Sequence, residues 1–164
     1  MSLRAEQRRA LLAHPAGWIA CGCGSGLSPV APGTAGSLAA LLPWLALREL
    51  PWPYYAAVIV AAFALGVWVC NWAVGALKIA DPGAVVWDEF VGQWIALAPL
   101  LIWSRGVLWI FVGFILFRIF DIIKPWPVSW ADNKISGGFG VMLDDVIAGI
   151  YAALGLTLAL RLWQ

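Results

Sequence analysis

The sequence predicts an all-helical membrane protein: one compact bundle of about five membrane segments behind an N-terminal amphipathic helix, forming a single domain over residues 1–164. Three observations carry that expectation. Hydrophobic residues make up 63% of the 164, and mean hydropathy is +0.87. Charged residues make up only 12%, against roughly 25% in an ordinary soluble domain. Long apolar runs recur along the chain, and a water-soluble core of this size could not hide them all.

The elements follow in order. Residues 2–13 set Leu3, Ala10, Leu11 and Leu12 among Arg4, Glu6, Arg8 and Arg9, the pattern of a short helix lying on a membrane surface. This stretch is basic and lacks an apolar run, so no cleavable signal peptide is expected in it. Residues 22–37, "GCGSGLSPVAPGTAGS", are rich in glycine, proline and hydroxyls and predict a loop. Apolar segments follow at about 35–47, 53–77, 90–104, 106–120 and 146–160. Crossing the hydrocarbon takes about 20 residues, which 53–77 exceeds. The other four are short unless their polar ends are counted, which places those ends at the interface or in a wet cleft. Five crossings is the expected count, with a re-entrant 35–47 as the alternative. Trp126 and Trp130 suit an interfacial aromatic belt.

Charge narrows both topology and function. A net charge of +1 offers no basic face for nucleic acid. With the N-terminus inside, Arg4, Arg8, Arg9, Lys78, Arg118, Lys124 and Lys134 fall on the cytoplasmic side, against Arg48, Arg105 and Arg161 outside. That threading gathers Asp81, Asp88, Glu89, Asp121, Asp132, Asp144 and Asp145 at the cytoplasmic face beside the glycine-rich loop. The three cysteines, Cys21, Cys23 and Cys70, make neither a disulfide framework nor a soft-metal site.

Two acid pairs, Asp88–Glu89 and Asp144–Asp145, each stand at the mouth of an apolar run. Read singly, each is a helix cap, since free N–H groups and the dipole favour negative charge there. A cap needs one carboxylate, however, and each position has two. If both pairs converge with Asp121, up to five negative charges share a pocket that only a cation makes tolerable. Hard oxygen ligands suit Mg²⁺, which accepts a few carboxylates and substrate phosphates. Gly92, Ala148 and Gly149 would let the helices carrying the pairs approach closely. Gly33, Thr34 and Ser37 form a glycine- and hydroxyl-rich entry to a helix, suited to an anion. Arg118, Asp121 and Lys124, three residues apart, set a cation on either side of an acid. His14 is the only histidine, so a histidine nucleophile with a second histidine as acid is impossible; carboxylates and a metal remain for phosphoester chemistry.

Three stretches resemble bacterial phosphatidylglycerophosphatase A: "GSGLSPVAPGTAGSLAALLPW" (24–44), "VVWDEFVGQWIAL" (85–97) and "FRIFDIIKPWPVSWAD…GGFGVMLDDVIAG" (117–149). They cover about half the chain in the family's order. The resemblance implies an all-helical, Mg²⁺-dependent lipid phosphatase of the bacterial inner membrane, its site facing the cytoplasm. It would convert phosphatidylglycerophosphate to phosphatidylglycerol and inorganic phosphate. The family's acidic site residues fall on Asp88, Glu89, Asp121, Asp144 and Asp145, the same five that charge alone singles out. Several of them would hold Mg²⁺ and one would take a proton from the attacking water, with a direct carboxylate nucleophile left open. Gly33, Thr34, Ser37, Arg118 and Lys124 would meet the phosphate. The rival class is an ion-coupled transporter, disfavoured because the acids gather at one face instead of the midplane. A structural partner subunit with capped helices is a third class, and it predicts no metal dependence. Oligomeric state is not legible.

Overall fold

The computed structural model describes residues 4–79, 82–103 and 106–163. The expectations for Leu3, Asp81 and Arg105 lie outside the described residues. Every regular element described is helical. Helix α1 spans Ala5–Leu12, with the Arg4 N–H donating to Gln7 Oε1 at 3.0 Å, and buries Leu11. The chain then turns into a second short helix, α2 (Pro15–Ala20), which the sequence reading did not anticipate. Pro15 opens it, and His14 Nδ1 accepts the Ala16 N–H. A 3₁₀ turn at Gly22–Leu27 fills the first part of the expected loop. The second part is already helix: α3 runs Pro32–Leu47, with Pro32 at a position whose N–H would have no helical partner.

Helix α4 covers Trp52–Leu77 and matches the long apolar run. Helix α5 is short, Trp87–Leu97, and gives way at Pro99 to a 3₁₀ turn, Ala98–Leu101, so 90–104 is not one helix. Helix α6 spans Val107–Ile123 and α7 spans Val128–Lys134. Helix α8 runs Gly137–Trp163, beginning nine residues before the expected 146. Asp144 and Asp145 therefore stand two turns inside a helix and are not caps.

Among the described residues two helices, α4 and α8, are long and apolar enough to cross a membrane. Their 26 and 27 residues give about 40 Å of length each, more than the hydrocarbon core of about 30 Å. Only 28% of the most apolar window of each is buried, unlike a helix at the centre of a soluble core. Of the expected five segments, these two reach a crossing length, and α3 is apolar over 16 residues. Exposed Leu42, Val60, Trp68, Ile115 and Leu158 continue the apolar exterior across α3, α4, α6 and α8.

Helix α8 is the axis of the bundle, packing on α5, α4, α6 and α7, while α3 packs on α5. Backbones nearly touch where α5 crosses α8: a Cβ on Gly149 would lie 2.5 Å from the Gly92 carbonyl oxygen. Inside the bundle, indole and phenol groups find partners, as burial in low dielectric demands. The Trp44 N–H donates to Tyr55 Oη, the Tyr55 O–H to the Trp94 carbonyl, and the Trp94 N–H to the Ala40 carbonyl, stitching α3, α4 and α5 together.

Candidate active site

The packing brings one end of α3, α5, α6 and α8 around a cleft of about 390 Å³. Pro32 and Gly33 supply its α3 wall, Asp88 and Glu89 its α5 wall, and Asp121 and Lys124 its α6 wall. Asp144 and Asp145 line it from α8, and Asp132, Asn133, Lys134 and Ser136 close it from α7 and the following turn. Acids from four helices thus share one space.

Two cations divide those acids between them. Arg118 sits one turn before Asp121 on α6, and its Nη1 lies 2.8 Å from Asp121 Oδ2 and 3.3 Å from Glu89 Oε2. The same nitrogen donates to Ser37 Oγ at 3.0 Å, and that hydroxyl stands 3.0 Å from both Glu89 Oε2 and the Gly33 carbonyl. Helix α6 ends at Ile123, so Lys124 leaves its helical face and turns the other way. Its Nζ lies 2.6 Å from Asp132 Oδ1 and 2.8 Å from Asp144 Oδ2.

What remains is unbalanced. Asp144 Oδ1 and Asp145 Oδ2 are buried with no hydrogen-bond partner. Asp145, 3% exposed, also feels the charges of Asp121, Asp88, Asp144 and Glu89. In the first turn of α5, Asp88 Oδ1 accepts the Glu89 N–H at 3.0 Å. Burial pushes the Glu89 carboxyl up to about 7, with Arg118 pulling down and Asp121 pushing up. Burial alone would lower the Lys124 ammonium, but its hydrogen bonds to Asp132 and Asp144 outweigh that and hold it above the ordinary lysine range.

Gly33 is required by this arrangement. A Cβ there would collide with Glu89 Oε1 and come within 3.2 Å of Arg118 Nη2. Helix α3 therefore presents bare backbone to the carboxylate, and its first turn opens onto the cleft.

These positions sit inside a recognisable family. A family model described as phosphatidylglycerophosphatase A matches residues 18–160. The chain belongs to the phosphatidylglycerophosphatase A family. It is 42% identical over 145 residues to phosphatidylglycerophosphatase A of Escherichia coli strain K12, covering 88% of this chain and 83% of that one. To phosphatidylglycerophosphatase A of Haemophilus influenzae it is 42% identical over 156 residues, 93% of each chain. A Bacteroides thetaiotaomicron relative, 43% identical over 147 residues (86% of this chain, 91% of that one), is provisionally named a phosphatidylinositol-3-phosphatase. No solved structure matches the chain.

For this phosphatidylglycerophosphatase A family member, the five acids expected from sequence all line the cleft. Of the five residues expected to meet phosphate, Gly33 and Lys124 line it, while Thr34, Ser37 and Arg118 are not among its lining residues. Ser37 is fully buried and tethers Glu89, and Arg118 is engaged by acids. The sequence reading placed Asp132 at the cytoplasmic face but missed it and its neighbours Asn133 and Ser136 as site residues. The polar run "ADNKIS" between apolar stretches was the available signal. Among the described residues no three His, Cys, Asp or Glu side chains are grouped as a ready metal cage. The donor set nevertheless fits a hard cation: it is all carboxylate, and two buried oxygens lack any partner.

Proposed function

We propose that this chain is a Mg²⁺-dependent lipid phosphatase that removes the terminal phosphate of phosphatidylglycerophosphate in phospholipid synthesis. The P–O bond to the glycerol breaks, a P–O bond to water forms, and phosphatidylglycerol and inorganic phosphate leave. The observation that carries this reading is the single cleft in which acids of α5, α6 and α8 face the first turn of α3. Family membership supplies the substrate class.

Each side chain then has a role. Asp88, Asp121, Asp144 and Asp145 would hold the ion. Mg²⁺ would supply charge neutralisation and a bound water of lowered pKa. Glu89 takes a proton from the attacking water, and a carboxyl near neutrality suits that task. Ser37 and Arg118 keep Glu89 in place. The Gly33 and Thr34 N–H groups precede the first helical hydrogen bond of α3, which Ala35 makes to Ala31, and so are available to phosphate oxygens. Lys124 pairs its ammonium with the phosphate oxygens, in the bound substrate as in the transition state.

The cleft faces the cytoplasm of the bacterial inner membrane in this reading. Lys78 ends α4 and Lys134 precedes α8 at the cleft end, whereas Arg48 and Arg161 lie at the far ends of α3 and α8. The chain is then multi-pass, and lipid reaches the cleft sideways while phosphate departs to water.

Detergent-purified protein assayed for phosphate release from phosphatidylglycerophosphate and phosphatidylinositol 3-phosphate, with Mg²⁺ and with EDTA, tests this. Preferred turnover of phosphatidylglycerophosphate that EDTA abolishes is expected. Full activity in EDTA, or preference for the inositol lipid, would overturn the metal or the substrate respectively.

A further inference from the structure

We propose that Asp132 is a positioning residue whose carboxylate holds the Lys124 ammonium at the cleft, so that Lys124 can meet the substrate phosphate. This rests on the function proposed above and deepens it.

The backbone at Lys124 is the first indication. Its φ of 47° and ψ of 58° put it in the left-handed region just past the end of α6. That position strongly favours glycine, because a Cβ there is strained. Strain retained at a pocket wall points to a side chain that is needed. The strained residue aims its Nζ between two carboxylates from different helices, Asp132 on α7 and Asp144 on α8.

The two anchors are not equivalent. Asp144 is a proposed ion ligand, and its second oxygen is already without a partner. An ion bound at that free oxygen would repel the Lys124 ammonium and draw charge from the oxygen Lys124 holds. Asp132 stands at the outer wall, its side chain 35% exposed, with no proposed duty toward the ion. It is the anchor that remains, and it comes from the helix that closes the cleft. A lysine has four rotatable carbons to order, so one firm acceptor decides whether its charge stays over the cleft.

The test uses full-length protein in detergent with saturating Mg²⁺. Asp132→Asn keeps the shape and removes the anchoring charge. The KM for lipid phosphate and the inhibition constant of inorganic phosphate should both rise about tenfold, the scale of one charge-assisted contact. The kcat should change far less. In a Lys124→Met background, Asp132→Asn should change neither constant further. Lys124→Gly, whose backbone suits the left-handed turn, serves as a second background should Lys124→Met fold poorly. An equal Asp132→Asn effect with and without Lys124 would overturn the proposal, as would a collapse of kcat at constant KM or no effect at all. If Lys124→Met itself left both constants unchanged, the phosphate role given to Lys124 would fail first, and the positioning role with it.

Discussion

Adding one methyl group at Gly33 probes the site without substituting a charged residue. An alanine Cβ there would overlap Glu89 Oε1, lie 3.0 Å from Glu89 Cδ and approach Arg118 Nη2 to 3.2 Å. The α3 backbone has little freedom to retreat, because Gly36 one turn on already packs against Val86. The carboxylate must swing away, leaving Ser37 Oγ at 3.0 Å and Arg118 Nη1 at 3.3 Å. A displacement of about 1 Å at a catalytic group costs about a hundredfold in rate. Stability should change little, because Gly→Ala inside a helix gains about 0.5–1 kcal/mol, which offsets the loosened contacts. Phosphate release and thermal unfolding, measured together on Gly33→Ala, should therefore separate: kcat/KM falls about a hundredfold while Tm moves by only a few degrees. Turnover within threefold of wild type would refute the role given to the Glu89 carboxylate.

Other outcomes follow from the same geometry. In EDTA the folded protein binds a proton at Glu89 up to about pH 7, whereas the unfolded chain releases it near 4.5, so burial of Glu89 costs stability progressively as pH rises between those values. Glu89→Gln should accordingly gain Tm over wild type at pH 8, with the gain shrinking toward pH 5; equal differences at both would contradict the burial argument. Arg118→Gln leaves Glu89 and Asp121 without their shared cation and should cost about 3–5 kcal/mol in chemical unfolding. Arg118→Lys should restore only part, since a flexible ammonium lacks the preorganised position from which Nη1 meets both acids and Ser37. Gly149→Val forces α8 away from the Gly92 carbonyl and should destabilise by about 1–3 kcal/mol or more, whereas Gly75→Ala, with open space around it, should not.

Much of this arrangement could be read from the chain, and the rest has identifiable causes. The run 53–77 coincides with α4 to within one residue at its start because nothing charged interrupts it. Hydropathy starts α8 late because Asp144 and Asp145 lower it locally, although they sit inside the helix facing the cleft. Hydropathy averages over all faces of a helix, so one lining a polar cleft over its first turns looks like a loop. The three-residue spacing brings Arg118 and Asp121 together on α6. Lys124 shares that spacing but escapes it: α6 ends just before it, and the left-handed turn sends its side chain to α7 and α8. Asp132 went unrecognised as a site residue because a lone aspartate in a short polar run carries no periodic signal. Closeness to Gly33 in sequence suggests one shared duty for the hydroxyls of Thr34 and Ser37. Position on the helix then assigned Ser37 to the buried side with Glu89.

The most direct measurement is phosphate release from phosphatidylglycerophosphate by wild type and Asp145→Asn across a Mg²⁺ titration, with thermal unfolding as the check on folding. Asp145 brings a buried, partnerless oxygen to the cleft. An ion held by Asp145 should give saturable Mg²⁺ activation in wild type and loss of turnover at every Mg²⁺ concentration in a variant that remains folded. A folded Asp145→Asn with wild-type turnover and an unshifted Mg²⁺ dependence would contradict it.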